Sequence, residues 1–111
     1  MNSYIYIDYQ NRGDLKNLPK VKNGRYFVFL GFHQTDDIKC EQGMRIKKIK
    51  MDKEGKDYLD CHLIDSITKR KNLPNTTHYI VSHDKGFEPW VNYLNSKAKK
   101  VIAKRIDKID L

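Results

Sequence analysis

Residues 25 to 30, RYFVFL, admit almost no polar side chain, and that run constrains the fold more than any other. A strand with one face in water alternates apolar and polar residues. A strand without alternation has to be covered on both faces, as a central strand of a parallel sheet is. Gly31 ends the run. SYIYID, Ser3 to Asp8, has the same β-branched and aromatic character, and His78 to Ser82, HYIVS, reads as a third strand. Between the second and third lies the best helix, Asp52 to Lys71. Its Leu59, Leu63, Ile64 and Ile67 form a stripe at helical spacing, and Asn72-Leu73-Pro74 ends it.

The remaining segments fill in the pattern. Met44 to Met51, MRIKKIKM, reads as a strand near a sheet edge, where lysine discourages pairing with another chain. Phe87 to Ser96 reads as a second helix and Lys100 to Ala103 as a last short strand. Asp14-Leu15 can open one helical turn in the polar connection from Gln10 to Gly24, and Thr35-Asp36-Asp37 can cap a short helix before Gly43. With 111 residues, no internal repeat and no linker, the expectation is a single domain over residues 1–111. Strands alternating with helices predict an α/β fold around a mostly parallel sheet of about five strands.

Charge narrows the function classes. Lys and Arg number 22 against 14 Asp and Glu, a net +8, which attracts polyanions, nucleic acid foremost. Cys40 and Cys61 make neither a disulfide framework nor a CxxC pair, so reduced thiols and a cytoplasmic location are expected. His33, Cys40, Cys61 and His62 lack the ligand-pair spacing of a zinc site. MNSYIYIDY has no basic, long-apolar leader, and no run approaches the ~20 apolar residues of a membrane span, so no membrane association is expected. No Ser/His/Asp or Cys/His arrangement suggests nucleophilic catalysis.

Ligands of parallel α/β sheets bind beyond the carboxyl ends of the strands, so the residues at those ends matter most. The first strand ends in Asp8, and the HYIVS strand runs into Ser82-His83-Asp84. Asp57 and Asp60, three apart, share a helix face that Ile64 and Ile67 continue towards the sheet. Each acid has a plainer role available: Asp8 a turn cap, Asp57 and Asp84 helix caps, Asp60 a partner for a surface lysine. Three carboxylates meeting at one edge repel one another, and a cluster of that kind is maintained by a hard cation such as Mg²⁺ or Mn²⁺.

The stretches YIDYQN, GKDYLDCHLIDSI and YIVSHDKGFEPWVNYL resemble the PIN-like domains, specifically a small PIN/NYN-type group with a "VDYEN" opening, an "LDF" helix and a "SxDKGF" turn. The resemblance runs from Tyr4 to about Arg105. It implies a three-layer fold, the central sheet flanked by helices, and metal-dependent hydrolysis of phosphodiester bonds in RNA. Carried over residue by residue, Asp8, Asp60 and Asp84 are the catalytic, metal-binding acids, with Asn11, Asp57 and Ser82 in support. The sequence departs from the pattern at Gln10, Cys61 and His83. Lys85-Gly86 stands where many relatives have a fourth acid, leaving Glu88 as a substitute.

A nuclease of this kind would hold the phosphate backbone through Lys47, Lys48, Lys56 and Lys85 without reading sequence. Tyr9, Phe32 and Trp90 offer stacking surfaces for single-stranded bases, with core packing the better expectation for Phe32. His33 and Gln34 face the same cleft. The partner is single-stranded or structured RNA, and a homodimer or a regulatory protein partner stays open. The rival reading is a non-catalytic PIN-like module that binds nucleic acid or protein. A receiver-like signalling domain is disfavoured, because paired acids after the first strand are absent.

Overall fold

The structure, a computed structural model, describes residues 1–55, 57–98 and 100–111. Its strands are β1 (Asn2–Asp8), β2 (Gly24–Leu30), β3 (Arg45–Lys50), β4 (Thr76–Val81) and β5 (Ala103–Ile106). They form one sheet in the order β3-β2-β1-β4-β5, with every neighbouring pair parallel. Helix α1 (Tyr58–Arg70) joins β3 to β4, and α2 (Glu88–Ala98) joins β4 to β5.

Strand alternation sorts the core into two layers. Tyr6, Phe27, Phe29 and Ile80 meet Leu59, Leu63 and Ile67 of α1 and Val91 and Leu94 of α2 on one face. Ile5, Ile7, Tyr26, Val28, Leu30 and Val81 face the other way. No helix covers that second face among the described residues. Leu18 and Ile38, from the connections after β1 and β2, close it instead. Those connections are tied to each other and to the sheet. Asn17 and Lys39 make an isolated parallel bridge, and the Tyr26 hydroxyl donates to the Pro19 carbonyl at 2.6 Å. The third layer is therefore irregular chain, and the helical turns expected at Asp14 and Asp36 are replaced by turns and this bridge.

The winding positions the site. From β1 through β3 the chain moves one way across the sheet with its connections on the loop face. It then returns over the helix face to β4 and β5. Uniform crossover handedness requires that exchange of faces. The direction reverses between β1 and β4, so a crevice opens outside their carboxyl ends.

Three boundaries differ from expectation. The long helix begins at Tyr58 rather than Asp52, because Gly55 turns the chain and the Tyr58 hydroxyl reaches back to Asp52 at 2.6 Å. A 3-10 turn, Lys85–Phe87, precedes α2. β5 lies downstream of the expected 100–103. The Asn95 side chain accepts from the Ile102 and Ala103 amides and donates to the Ala103 carbonyl, which makes residues 100–102 a turn rather than a strand. β3 is an edge strand as expected, its Arg45, Lys47, Lys48 and Lys50 all exposed.

His78 is the most consequential polar residue of the core. It is fully buried, its Nδ1 2.9 Å from the Tyr6 hydroxyl, and burial pushes its imidazole down to about 4. The folded protein thus holds His78 neutral where the unfolded chain, near 6.5, would charge it. That stabilisation is present above pH 6.5 and is lost as pH falls towards 4. In urea denaturation, wild type should lose up to about 3 kcal/mol over that window relative to His78→Gln, which cannot titrate. Parallel pH profiles for the two would show that His78 is not the group responsible.

Candidate functional site

Asp8 closes β1, and strand alternation turns its side chain to the same face as Tyr6, under the start of α1. It is 0% exposed. The turn that follows folds back on it: the Asn11 and Arg12 amides donate to the Asp8 carbonyl, and Asn11 Nδ2 donates to Asp8 Oδ2 at 2.7 Å. Arg12 directs its guanidinium to Asp14. Just past the end of the neighbouring strand β4, the buried Ser82 hydroxyl donates to Asp8 Oδ2 at 2.9 Å. Asp8 Oδ1 is buried and has no hydrogen-bond partner among the described residues. Buried polar atoms are rarely left so, because the desolvation penalty goes uncompensated.

Ser82 Oγ also accepts the Asp84 amide at 3.0 Å, so one hydroxyl ties Asp8 to the turn that carries Asp84. Asp84 caps that turn, its Oδ1 accepting the Gly86 amide at 2.8 Å. A Cβ at Gly86 would stand 2.9 Å from the same oxygen, which is why glycine occupies the position. The capping role thus engages one oxygen of Asp84.

Asp60 lies in the first turn of α1, half-buried above the crevice. Its carboxyl is pushed up to about 6, first by burial and then by the negative charges of Asp8, Asp84 and Asp57. Burial is the larger cause, and the neighbouring negative charges add to it in the same direction. All-oxygen donors, a buried bare oxygen and excess negative charge suit a hard divalent cation. Among the described residues, no three His, Cys, Asp or Glu side chains stand in a ligating arrangement. The donor chemistry fits a metal, although the set is not drawn around one point.

The other residues singled out from the sequence divide. Asp57 occupies the cap position of α1, makes no side-chain capping bond and adds its charge to the field on Asp60. Lys85 is exposed, directly after Asp84. Lys47 and Lys48 are exposed on β3, with Lys48 paired to Asp36 at 2.8 Å. Lys56 lies outside the described residues.

Glu88 does not join the acids. Arg105 takes its carboxylate at 2.9 Å, together with the Ser82 carbonyl and Asp107. The sequence gives no sign of this clamp, because nothing local marks an arginine that will fold back onto a turn 23 residues earlier. Gln34 is also structural, bonding the Gly31 amide and the Tyr9 carbonyl. Tyr9 is buried, its hydroxyl between the Leu15 carbonyl and Asp37, so it is not a stacking surface. Trp90 packs half-buried against the helix-side core. Phe32, expected in the core, is 42% exposed.

Beside the acids a cleft of about 430 Å³ opens between the chain after β1, β2 and β3 and the start of α1. Gln10, Phe32, His33, Glu54, Tyr58 and Leu59 line it, and His33 is hydrogen-bonded to Glu54. No helix among the described residues is long and apolar enough to cross a membrane.

The shift on Asp60 has a sign that can be measured. Its folded value lies above the ordinary 3.8, so the folded state binds more protons between pH 4 and 6, and stability is lost as pH rises through 6. In chelator-treated protein, Asp60→Asn should therefore match wild type at pH 4 and exceed it at pH 7.5. Allowing for solvent screening, the gain is of order 1 kcal/mol. Equal stability at both pH values in urea titrations would mean that neither burial nor the neighbouring acids raise the Asp60 carboxyl.

A protein-family model described as a PIN domain matches residues 2–104. Comparison with curated proteins found no match, and neither did comparison with solved structures.

Proposed function

We propose, on the premise that this chain belongs to the PIN domain family, that it is a nuclease hydrolysing phosphodiester bonds of RNA with Mg²⁺ or Mn²⁺. PIN domains are commonly nucleases. The observation that carries the reading for this chain is the charge imbalance at the crevice. A fully buried Asp8 keeps one oxygen bare, and the charges of Asp8, Asp84 and Asp57 help hold Asp60 near 6. Carboxylates arranged for stability alone would carry cations. The residues that would hold the metal are Asp8, Asp60 and Asp84.

When bound, the cation supplies Lewis-acid polarisation of the phosphate and a water of lowered pKa. The chain's own residues prepare the place. Asn11 and Ser82 fix the Asp8 carboxylate by two hydrogen bonds to one oxygen, leaving the other directed elsewhere. Ser82 sets Asp84 in register with Asp8 through the Asp84 amide. Arg105 holds the Ser82 carbonyl, so the turn does not drift. Lys85, beside Asp84, and Lys47 and Lys48 on the exposed edge strand attract the phosphate backbone without selecting sequence.

A second reading keeps the fold and the RNA but not the cleavage. It is favoured by the absence of a three-ligand arrangement among the described residues and by the pairing of Glu88 with Arg105. Asp84→Asn separates the two readings. Asparagine retains the oxygen that caps Gly86, so fold and turn should survive. If the nuclease reading holds, wild type gains stability with Mn²⁺ and cleaves single-stranded RNA until EDTA is added. The variant should lose both properties while keeping its RNA affinity. Ser82→Ala, which frees Asp8 from one hydrogen bond, should cost about 10–100-fold in metal affinity or rate. RNA binding by wild type without Mn²⁺ stabilisation or cleavage would select the binding module.

A further inference from the structure

We infer that the cleft beside the acids is a pocket for one nucleobase, flanking the phosphate that the acids would act on. The ligand class rests on the nucleic-acid reading above; the pocket rests on its own geometry. Leu59, in its wall, directly precedes Asp60, and Gln10 lies two residues beyond Asp8, so the cleft and the acids are carried by the same two stretches of chain. Its volume, about 430 Å³, falls near the lower end of small-molecule sites, enough for one nucleotide unit and too little for a peptide helix.

The lining selects a flat, polar-edged aromatic ring. Phe32 is 42% exposed, so packing does not account for its ring, and His33 stands edge-on to it with centroids 4.8 Å apart. Met51 and Leu59, both buried, give an apolar floor. Gln10 lays its carboxamide over Gly31, so closely that a Cβ there would stand 3.2 Å from Nε2. That places a donor and an acceptor together at one wall. Glu54 adds a carboxylate bonded to His33, and Lys53 adds a cation.

A free phosphate has no use for an exposed phenyl ring and would be repelled by Glu54. A lipid chain would make no use of the exposed Gln10 amide and Glu54 carboxylate. A base meets each group: its face on Phe32, its edge on Gln10 and Glu54, its phosphate on the Lys53 side. Gly31 matters here for space, because alanine would force the Gln10 carboxamide to give way where it meets the pocket.

The test is an amide-resolved NMR titration of the full chain, in EDTA, with the four nucleoside 5′-monophosphates and with ribose 5-phosphate. At least one nucleotide should shift the amides of residues 31–34 and 53–55, and ribose 5-phosphate should leave residues 31–34 unmoved. Phe32→Ala should weaken that nucleotide roughly 5-fold or more. Gly31→Ala should also weaken it, while Tyr93→Ala, exposed on α2 and outside the cleft, should not. The pocket is overturned if no nucleotide shifts these amides, if ribose 5-phosphate shifts them equally, or if Phe32→Ala binds like wild type. Nucleotide binding here without Mn²⁺-dependent cleavage would end the nuclease reading and leave the pocket standing.

Discussion

A carboxylate buried without a cation is expensive, and the structure is organised around one. Asp8 has no solvent contact, two hydrogen bonds to one oxygen and none to the other. Such a group persists only where its neighbours are fixed, since a mobile surrounding would rotate it into water. β1 provides that rigidity. It is the middle strand, paired on both sides, so its last residue meets a neighbour whichever way the sheet continues. Ser82 comes from one such neighbour, and Asn11 comes from the turn that Asp8 itself initiates. Asp84 follows from Ser82, because the serine hydroxyl receives its amide.

The helix face supplies the remaining member. Leu59, Leu63 and Ile67 seat α1 against Tyr6, Phe27 and Phe29, and this fixes where its first turn stands over the crevice. Arg70, at the far end of α1, lies over the Phe27 ring at 4.4 Å and closes that end of the layer. Asp60 is thus held at the crevice by packing on its own helix, where burial and then the charges of Asp8, Asp84 and Asp57 raise its pKa. Work done against repulsion at one point and offset by a core elsewhere is characteristic of functional sites. The loop face asks less. Its irregular connections cover Ile5, Ile7, Val28 and Leu30, and their chain after β2 also forms part of the cleft wall.

Much of this was legible in particular residues. RYFVFL showed a strand covered on both sides, and MRIKKIKM showed an edge. Strand ends and a helix stripe were enough to expect Asp8, Asp60 and Asp84 at one edge of the sheet, and the fold puts Asp60 in the field of the other two without a ligating arrangement among the described residues. What escaped depended on contacts distant in sequence. The start of α1 was obscured because Asp52, Glu54 and Asp57 suit a helix entry, while Gly55 and the Tyr58–Asp52 hydrogen bond decide against it. Asn95 displaced the last strand by taking the amides of Ile102 and Ala103, a side-chain act with no periodic signature. Glu88 was drawn away by an arginine on β5, and Phe32 was left exposed, outside both layers of the core.

The central claim is that repulsion among these acids is kept for a cation to relieve. It is tested most directly by following the Asp60 carboxyl carbon by NMR through a pH titration, in EDTA and then in saturating Mg²⁺. The account predicts a midpoint near 6 without metal. With Mg²⁺ the midpoint should fall below the ordinary carboxylate range, because the bound cation favours the charged form. A midpoint that stays near 6 in both conditions would contradict it, showing acids that repel one another with no metal to bring them together.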